Sequence, residues 1–209
     1  MPKLKPDVQR ARREHILDAA EKCFAEAGFH RTSIHDICRE ASVSPGALYV
    51  YFDSKEALIA GLSERDRADF AERLAALAQA PDFLQALKHI GEHYFIDEPA
   101  YKRRMCIEIG LESTRNPRVG EIFREVDGFI TTSFEKLFQK MKDEGRIEPE
   151  LEIPALAKIF TLIGDGLFWR RAVDPAFDGA AMVPAVLSVL GNLLNPVSVP
   201  STDGALTDA

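Results

Sequence analysis

The chain has 209 residues, 46% of them hydrophobic and 28% charged, a composition typical of a globular protein with a substantial core. The polar N-terminus is unlike a signal peptide, and the longest apolar stretch, residues 182–194, is too short to span a bilayer. The three cysteines show no paired spacing, which favours buried thiols in a reducing compartment over disulfides. We therefore expect a cytoplasmic protein that does not associate with membranes.

The formal net charge of −7 argues against a nucleic-acid partner until its distribution is considered. Residues 1–55 hold nine Lys/Arg and eight Asp/Glu, a net charge of +1, whereas residues 56–209 hold 17 and 25, a net charge of −8. Five cations against one acid form a basic arm within residues 1–13: Lys3, Lys5, Arg10, Arg12 and Arg13. The arm suits either a solvated tail or a segment that meets a phosphate backbone.

Apolar residues repeat with helical spacing from the start of the chain, and no segment reads convincingly as a strand. A first helix is predicted over residues 7–27, with Gly28 as its C-cap. A short second helix follows, and Thr32 or Ser33 begins it. Ser33 with Asp36 fits the S-x-x-D capping signature of a helix N-terminus.

The stretch SVSPGALYVYF, residues 42–52, places two helix-punctuating residues directly before an aromatic run. Ser44 is a good N-cap, and Pro45 suits the first position of a helix. A third helix is therefore predicted after a tight turn, which gives residues 33–52 helix-turn-helix proportions.

Turn signals divide the remainder into six further helices. They are predicted over residues 53–78, 82–97, 99–114, 116–145, 152–173 and 180–194. The expected fold class is all-α, with nine helices in two domains. The predicted divisions are a three-helix head over residues 1–55, a six-helix body over 56–195 and a disordered tail over 196–209.

The third helix has an unusual outer face. With Leu48 and Phe52 turned toward the core, Gly46, Ala47 and Val50 point away from it. Such a face is odd for a helix in water but suits a helix that enters the major groove of DNA, although a plain helical hairpin fits residues 44–52 as well. The candidate DNA contacts are Thr32, Ser33, Ser44, Pro45, Gly46, Ala47, Tyr49, Val50, Tyr51 and Lys55.

The head resembles the DNA-binding domain of the tetracycline-repressor (TetR) family of bacterial transcriptional regulators. The matching segments, in order, are ILDAA (16–20), FAEAGF (24–29), TSIHDI (32–37), ASVS (41–44), GALY (46–49), YF (51–52) and SKEAL (54–58). A weaker similarity links GDGLFWRRA (164–172) to repressors of the choline/betaine-responsive type. The resemblance implies a repressor that binds a palindromic DNA operator as a homodimer and is released by a small-molecule effector.

The resemblance further implies an effector cavity within the body. A mostly apolar cavity would favour an aromatic or hydrophobic effector. Candidates for its lining, chosen by helix membership, are His93, Met105, Glu108, Phe123, Phe160 and Trp169. The last helix is apolar all round, which favours burial against a second subunit and hence a homodimer through residues 152–173 and 180–194.

Two readings from other classes remain open. The first is an enzyme, because His89, Glu92 and His93 match the H-x-x-E-H pattern of one class of zinc peptidases. A structural or sensory metal site, or ordinary helix-surface or pocket histidines, would explain the same residues. The last of these is the expectation, and no nucleophile has an evident base partner, so we expect no catalytic activity, no metal and no cofactor. The second is a helical adaptor whose head does not engage DNA.

Overall fold

The computed structural model describes residues 5–197 and confirms the all-α class: within them lie nine α-helices, one π-helical turn and an isolated β-bridge. The helices are α1 (Pro6–Ala27), α2 (Ile34–Glu40), α3 (Pro45–Tyr49), α4 (Lys55–Gln79), α5 (Phe83–Glu92), α6 (Ala100–Ser113), α7 (Pro117–Asp143), α8 (Ile153–Val173) and α9 (Gly179–Leu194). The π-helical turn, His93–Asp97, follows α5 directly, so the helix predicted over residues 82–97 changes its winding at its end.

Serine side chains start three of the first four helices. Ser33, Ser44 and Ser54 each accept a hydrogen bond from the backbone N–H three residues ahead, which satisfies a donor that the helix leaves unpaired. Ser33 caps α2 where Thr32 was the alternative. Between α2 and α3 the backbone turns at Ser42, whose φ of 51° lies in the left-handed region.

The head packs around α1, α2, α3 and the first turns of α4. Its core includes Ile16, Phe24 and Leu48, which are at most 1% exposed. The same cluster continues into the body, because Met105 of α6 and Val119 of α7 belong to it. The division at residue 55 stays a prediction, and this shared packing joins the head to α6 and α7.

A second core lies within the body, among α4, α5, α7, α8 and α9. The rings of Phe134, Phe138 and Phe160 contact one another there, with centroids 4.6–5.8 Å apart. Among the helices of residues 5–197, none has the length and apolar character that a membrane crossing requires.

The predicted tail begins with ordered residues. Pro196 forms the isolated bridge with Ile147, and the N–H of Val197 donates to the carbonyl of Arg146 at 3.0 Å. The expectation of disorder is thus wrong for these two residues, because they pair with the turn after α7. The rest of the tail, residues 198–209, and Lys3 of the basic arm lie outside the described residues.

Candidate nucleic-acid interface and ligand cavity

The outer surface of α3 stands on a buried base. Leu48 is fully buried and Phe52 is 4% exposed, whereas Tyr49 and Val50 are 53% and 77% exposed. Gly46 has no atom within 4 Å of the position that a Cβ would occupy. The fold therefore does not require glycine there, and its missing side chain leaves room for another molecule to approach the backbone. Pro45 and Ala47 are half-buried beside it.

Polar groups lie on both sides of this surface. Ser33 and Ser44 are exposed, but both hydroxyls serve as N-caps, and Ser33 also donates to the Asp36 carboxylate at 2.6 Å. Tyr51 is half-buried and packs against the head core. Tyr49 is left as the most exposed hydrogen-bonding side chain of α3.

Thr32 was a candidate DNA contact, and the structure contradicts that choice. Its side chain is 2% exposed, and its hydroxyl lies 2.8 Å from the carbonyl oxygen of Gly28 and 3.0 Å from that of Cys23. The hydroxyl ties the loop before α2 to the end of α1, so it cannot reach a base. The sequence showed a polar residue beside a cap but not the direction of its side chain.

Lys55 was predicted to contact a DNA phosphate, and in the structure it also binds backbone groups within the head. Its ammonium donates to the carbonyls of Phe29 at 2.6 Å and Thr32 at 2.9 Å and lies 4.3 Å from the Phe29 ring centre. Burial lowers the pKa of Lys55. An ammonium has three N–H donors, so one is left for a phosphate, and that contact stays a prediction.

The basic arm divides into engaged and free cations. Arg13 pairs with Glu64 at 2.6 Å and with Glu14 at 3.2 Å. Arg10 and Arg12 are exposed and form no ion pair with any other residue of the described range 5–197. These two side chains remain available to a phosphate backbone.

The body contains a largely apolar cavity of about 240 Å³ between α4, α5, the π-helical turn, α7, α8 and α9. Six aromatic side chains line it: Phe70, Tyr94, Phe95, Phe134, Phe160 and Phe168. Its charged lining residues are Asp127 and Asp165, and no Lys, Arg or His contributes to the lining. Both aspartates keep contact with solvent, so they lie at the rim.

Of the six predicted effector contacts, only Phe160 lies in this cavity. Met105 belongs to the head core, and Glu108 packs against Gly28 at the junction of head and body. His93 faces Glu98 at 3.9 Å, while Phe123 and Trp169 lie on the surface at 47% and 54% exposure. The other five residues lie outside this cavity, because membership of a body helix does not say which way a side chain points, and their role as effector contacts stays a prediction.

The residues that the sequence analysis missed are Tyr94, Asp127 and Asp165. A signal existed for Asp165, which is the one charged residue between Lys158 and Arg170 in an otherwise apolar stretch. Burial raises the pKa of Asp165, and the charge of Asp127 raises it further. The pKa of Tyr94 is raised as well, first by burial.

Polar contacts connect the cavity wall to the head. The Tyr94 hydroxyl donates to Asp69 of α4 at 3.4 Å. Glu98, directly after the π-helical turn, lies 3.6 Å from the Lys102 ammonium. The same ammonium lies 3.8 Å from Glu21 of α1, whose carboxylate is 4% exposed and also accepts from Arg65 of α4.

The H-x-x-E-H residues do not form a metal site in the described part of the chain. Glu92 pairs with Lys88 at 3.6 Å, and His93 faces Glu98 rather than His89. Within residues 5–197, no three His, Cys, Asp or Glu side chains lie together as metal ligands would.

Comparison with known proteins places these features in context. Residues 16–62 match the model of the bacterial regulatory proteins of the tetR family. The fatty acid metabolism regulator protein of Bacillus subtilis (strain 168) is 33% identical over 194 residues, covering 87% of this chain and 95% of the relative. The regulator UidR of Escherichia coli (strain K12) is 26% identical over 186 residues, covering 87% and 92%. The solved structure of Salmonella enterica GusR matches with a TM-score of 0.73 and 28% identity over 92% of this chain and 99% of that one.

Proposed function

Because the chain belongs to the TetR family of bacterial transcriptional regulators, we propose that it represses transcription by binding a palindromic operator as a homodimer, and that a small molecule in the body cavity releases it. The observation that supports DNA binding is the exposed surface of α3. There Gly46 has free space around its Cβ position, and the exposed side chains of Tyr49 and Val50 lie opposite the buried face of the helix. Regulators of this kind are not enzymes, and a cytoplasmic location stays a prediction.

The reading of DNA is assigned to α3 and its neighbours. Gly46, Ala47 and Val50 offer no side-chain hydrogen bond, so they bring the helix close to the base edges and contact thymine methyl groups. Tyr49, Ser44 and backbone groups supply hydrogen bonds. Tyr51, Lys55, Ser33 and the free arginines of the basic arm position the head on phosphates, which fixes register but carries no sequence information.

The dimer is assigned to the outer faces of α8 and α9. Leu162, Trp169 and Val173 repeat along α8 with helical spacing and are 65%, 54% and 49% exposed. Met182 and Val189 continue the surface on α9 at 40% and 51%. A contiguous apolar surface of this kind marks a protein contact, and a two-fold axis would cover both copies at once.

The opposite face of α9 is occupied within the subunit. Val183, Leu190 and Leu194 are at most 7% exposed and pack against the body. The apolar character of residues 182–194 thus has two causes, one face for the subunit's own core and one for the proposed partner.

Release of the operator is assigned to the contacts that link the cavity wall to the head. An effector that contacts Tyr94 or Phe95 touches the π-helical turn, and such turns are frequent at functional sites. Displacement of the turn would shift Glu98 and the Lys102 ammonium, which stands between Glu98 and Glu21. Movement of α1 and α4 would change the spacing of the two heads, which must match successive major grooves about 34–36 Å apart.

The proposal is tested by selecting genomic DNA fragments on the purified protein and measuring their affinity by mobility shift. A palindromic site bound by two subunits is expected. Non-specific binding alone would contradict the proposal and favour the helical adaptor. Compounds that dissociate the selected fragment identify the effector. The Bacillus subtilis relative is named for fatty acid metabolism, and an acyl chain would suit the apolar wall, so acyl compounds belong in that screen.

A further inference from the structure

The cavity has a charge asymmetry that its apolar character alone does not explain. Its wall contains six aromatic rings and two carboxylates, and it lacks any Lys, Arg or His. Neither Asp127 nor Asp165 forms a hydrogen bond or ion pair with another residue of the range 5–197. Within the described residues of the single chain, the cavity thus has two unneutralised negative charges at its rim and no cation among its lining residues.

These features favour one class of ligand. Aromatic faces carry negative electrostatic potential and attract cations, and the attraction strengthens where water is excluded. A carboxylate at the rim adds direct attraction for the same charge. A carboxylate or phosphate ligand would meet repulsion from both aspartates and no compensating cation in the lining.

We propose that the effector is an amphiphilic organic cation, with an aromatic or aliphatic body in the cavity and a protonated amine at the Asp127–Asp165 rim. This inference rests on the proposed function, since it names the ligand class of the same cavity. It differs from the broader expectation of a hydrophobic effector by requiring positive charge.

The test uses three probes that differ only in their end group: 4-phenylbutylamine, 4-phenylbutanol and 4-phenylbutanoate. Binding to the purified full-length protein is measured by calorimetry at neutral pH, where the amine is protonated. We expect the amine to bind at least about tenfold more tightly than the alcohol, and the acid to bind more weakly than the alcohol.

Variants place the preference at the rim. Asp127→Asn with Asp165→Asn should bring the affinity of the amine down to that of the alcohol and leave the alcohol unchanged. Glu125→Gln removes one charge from the exposed face of α7 outside the cavity and should preserve the preference. Equal or tighter binding of the alcohol or the acid would overturn the cation assignment, as would a preference that survives in the double variant or a failure of all three probes to bind.

The effector mechanism and the cationic class of the effector can be contradicted by different results. An operator complex that is released by a neutral or acidic compound would leave the effector mechanism in place and overturn only the cationic class. An operator complex that no compound releases would count against the effector mechanism itself.

Discussion

Leu162→Glu is expected to separate the subunits without unfolding them. Leu162 is 65% exposed in the single chain, so the substitution should cost the isolated subunit little. Burying a whole leucine side chain contributes about 1.5–3 kcal/mol, and the exposed share of this one corresponds to about 1.5 kcal/mol. A two-fold interface contains the residue twice, so the hydrophobic loss alone is about 3 kcal/mol for the dimer. That loss raises the dissociation constant by about 150-fold, and burial of two carboxylates raises it further.

Sedimentation velocity over a range of protein concentrations measures the effect. The unmodified chain should sediment as a dimer at micromolar concentration and Leu162→Glu as a monomer with unchanged helical content. Leu111→Glu is the matched control, because Leu111 is 49% exposed on α6, which is not one of the two helices of the proposed interface, and this variant should remain dimeric. A stable monomer for the unmodified chain, or a dimer that tolerates Leu162→Glu, would refute the assignment of the interface.

Three further predictions concern single side chains. At the operator, replacing one thymine by uracil should weaken binding by about 1 kcal/mol, the value of one buried methylene. Val50→Ala should make the protein indifferent to that replacement, and an unchanged response would remove Val50 from the interface. Lys55→Ala should lower the free energy of unfolding by about 1–2 kcal/mol, since two charge-assisted hydrogen bonds disappear from a partly exposed site. It should also reduce the salt slope of operator binding by about one unit, and an unchanged slope would restrict Lys55 to its structural role. Asp165→Asn should raise the melting temperature at neutral pH. The pKa of Asp165 is higher in the folded protein than in the unfolded chain. Ionisation of Asp165 therefore lowers the free energy of unfolding as the pH rises from the unfolded pKa through the folded one. The gain from Asp165→Asn should therefore vanish in acid, and a gain independent of pH would contradict the linkage.

The head was readily predicted from sequence because its signals are local. Caps such as Ser44 act within one helical turn, and the spacing of Leu48 and Phe52 decides which face of α3 is buried. Helix starts and the exposed surface therefore followed from short stretches alone. Thr32 was the exception, since its hydroxyl bonds to Cys23, nine residues earlier, and no local pattern reveals that partner.

The cavity was poorly predicted because it depends on how five helices meet. Phe160 and Trp169 both lie on α8, yet the first is 5% exposed in the core and the second 54% exposed on the surface. Helix membership cannot separate them, whereas the direction of each side chain around the helix axis can. The clearest overlooked signal was Asp165, because an isolated carboxylate in an apolar helix calls for a functional explanation.

The central claim is that α3 approaches DNA closely, and Gly46→Leu tests it most directly. Apart from its chain neighbours and the backbone of its own helix, no atom lies within 4 Å of the Cβ position of Gly46, so a side chain can start there without a clash in the free protein. The same holds for Gly128 on α7, which makes Gly128→Leu the matched control. Affinity for the selected operator is measured by fluorescence anisotropy, with melting temperature and dimer content recorded alongside. The account predicts that Gly46→Leu loses operator binding while its fold and dimer persist and Gly128→Leu binds normally. Operator affinity equal to that of the unmodified protein in Gly46→Leu would contradict it.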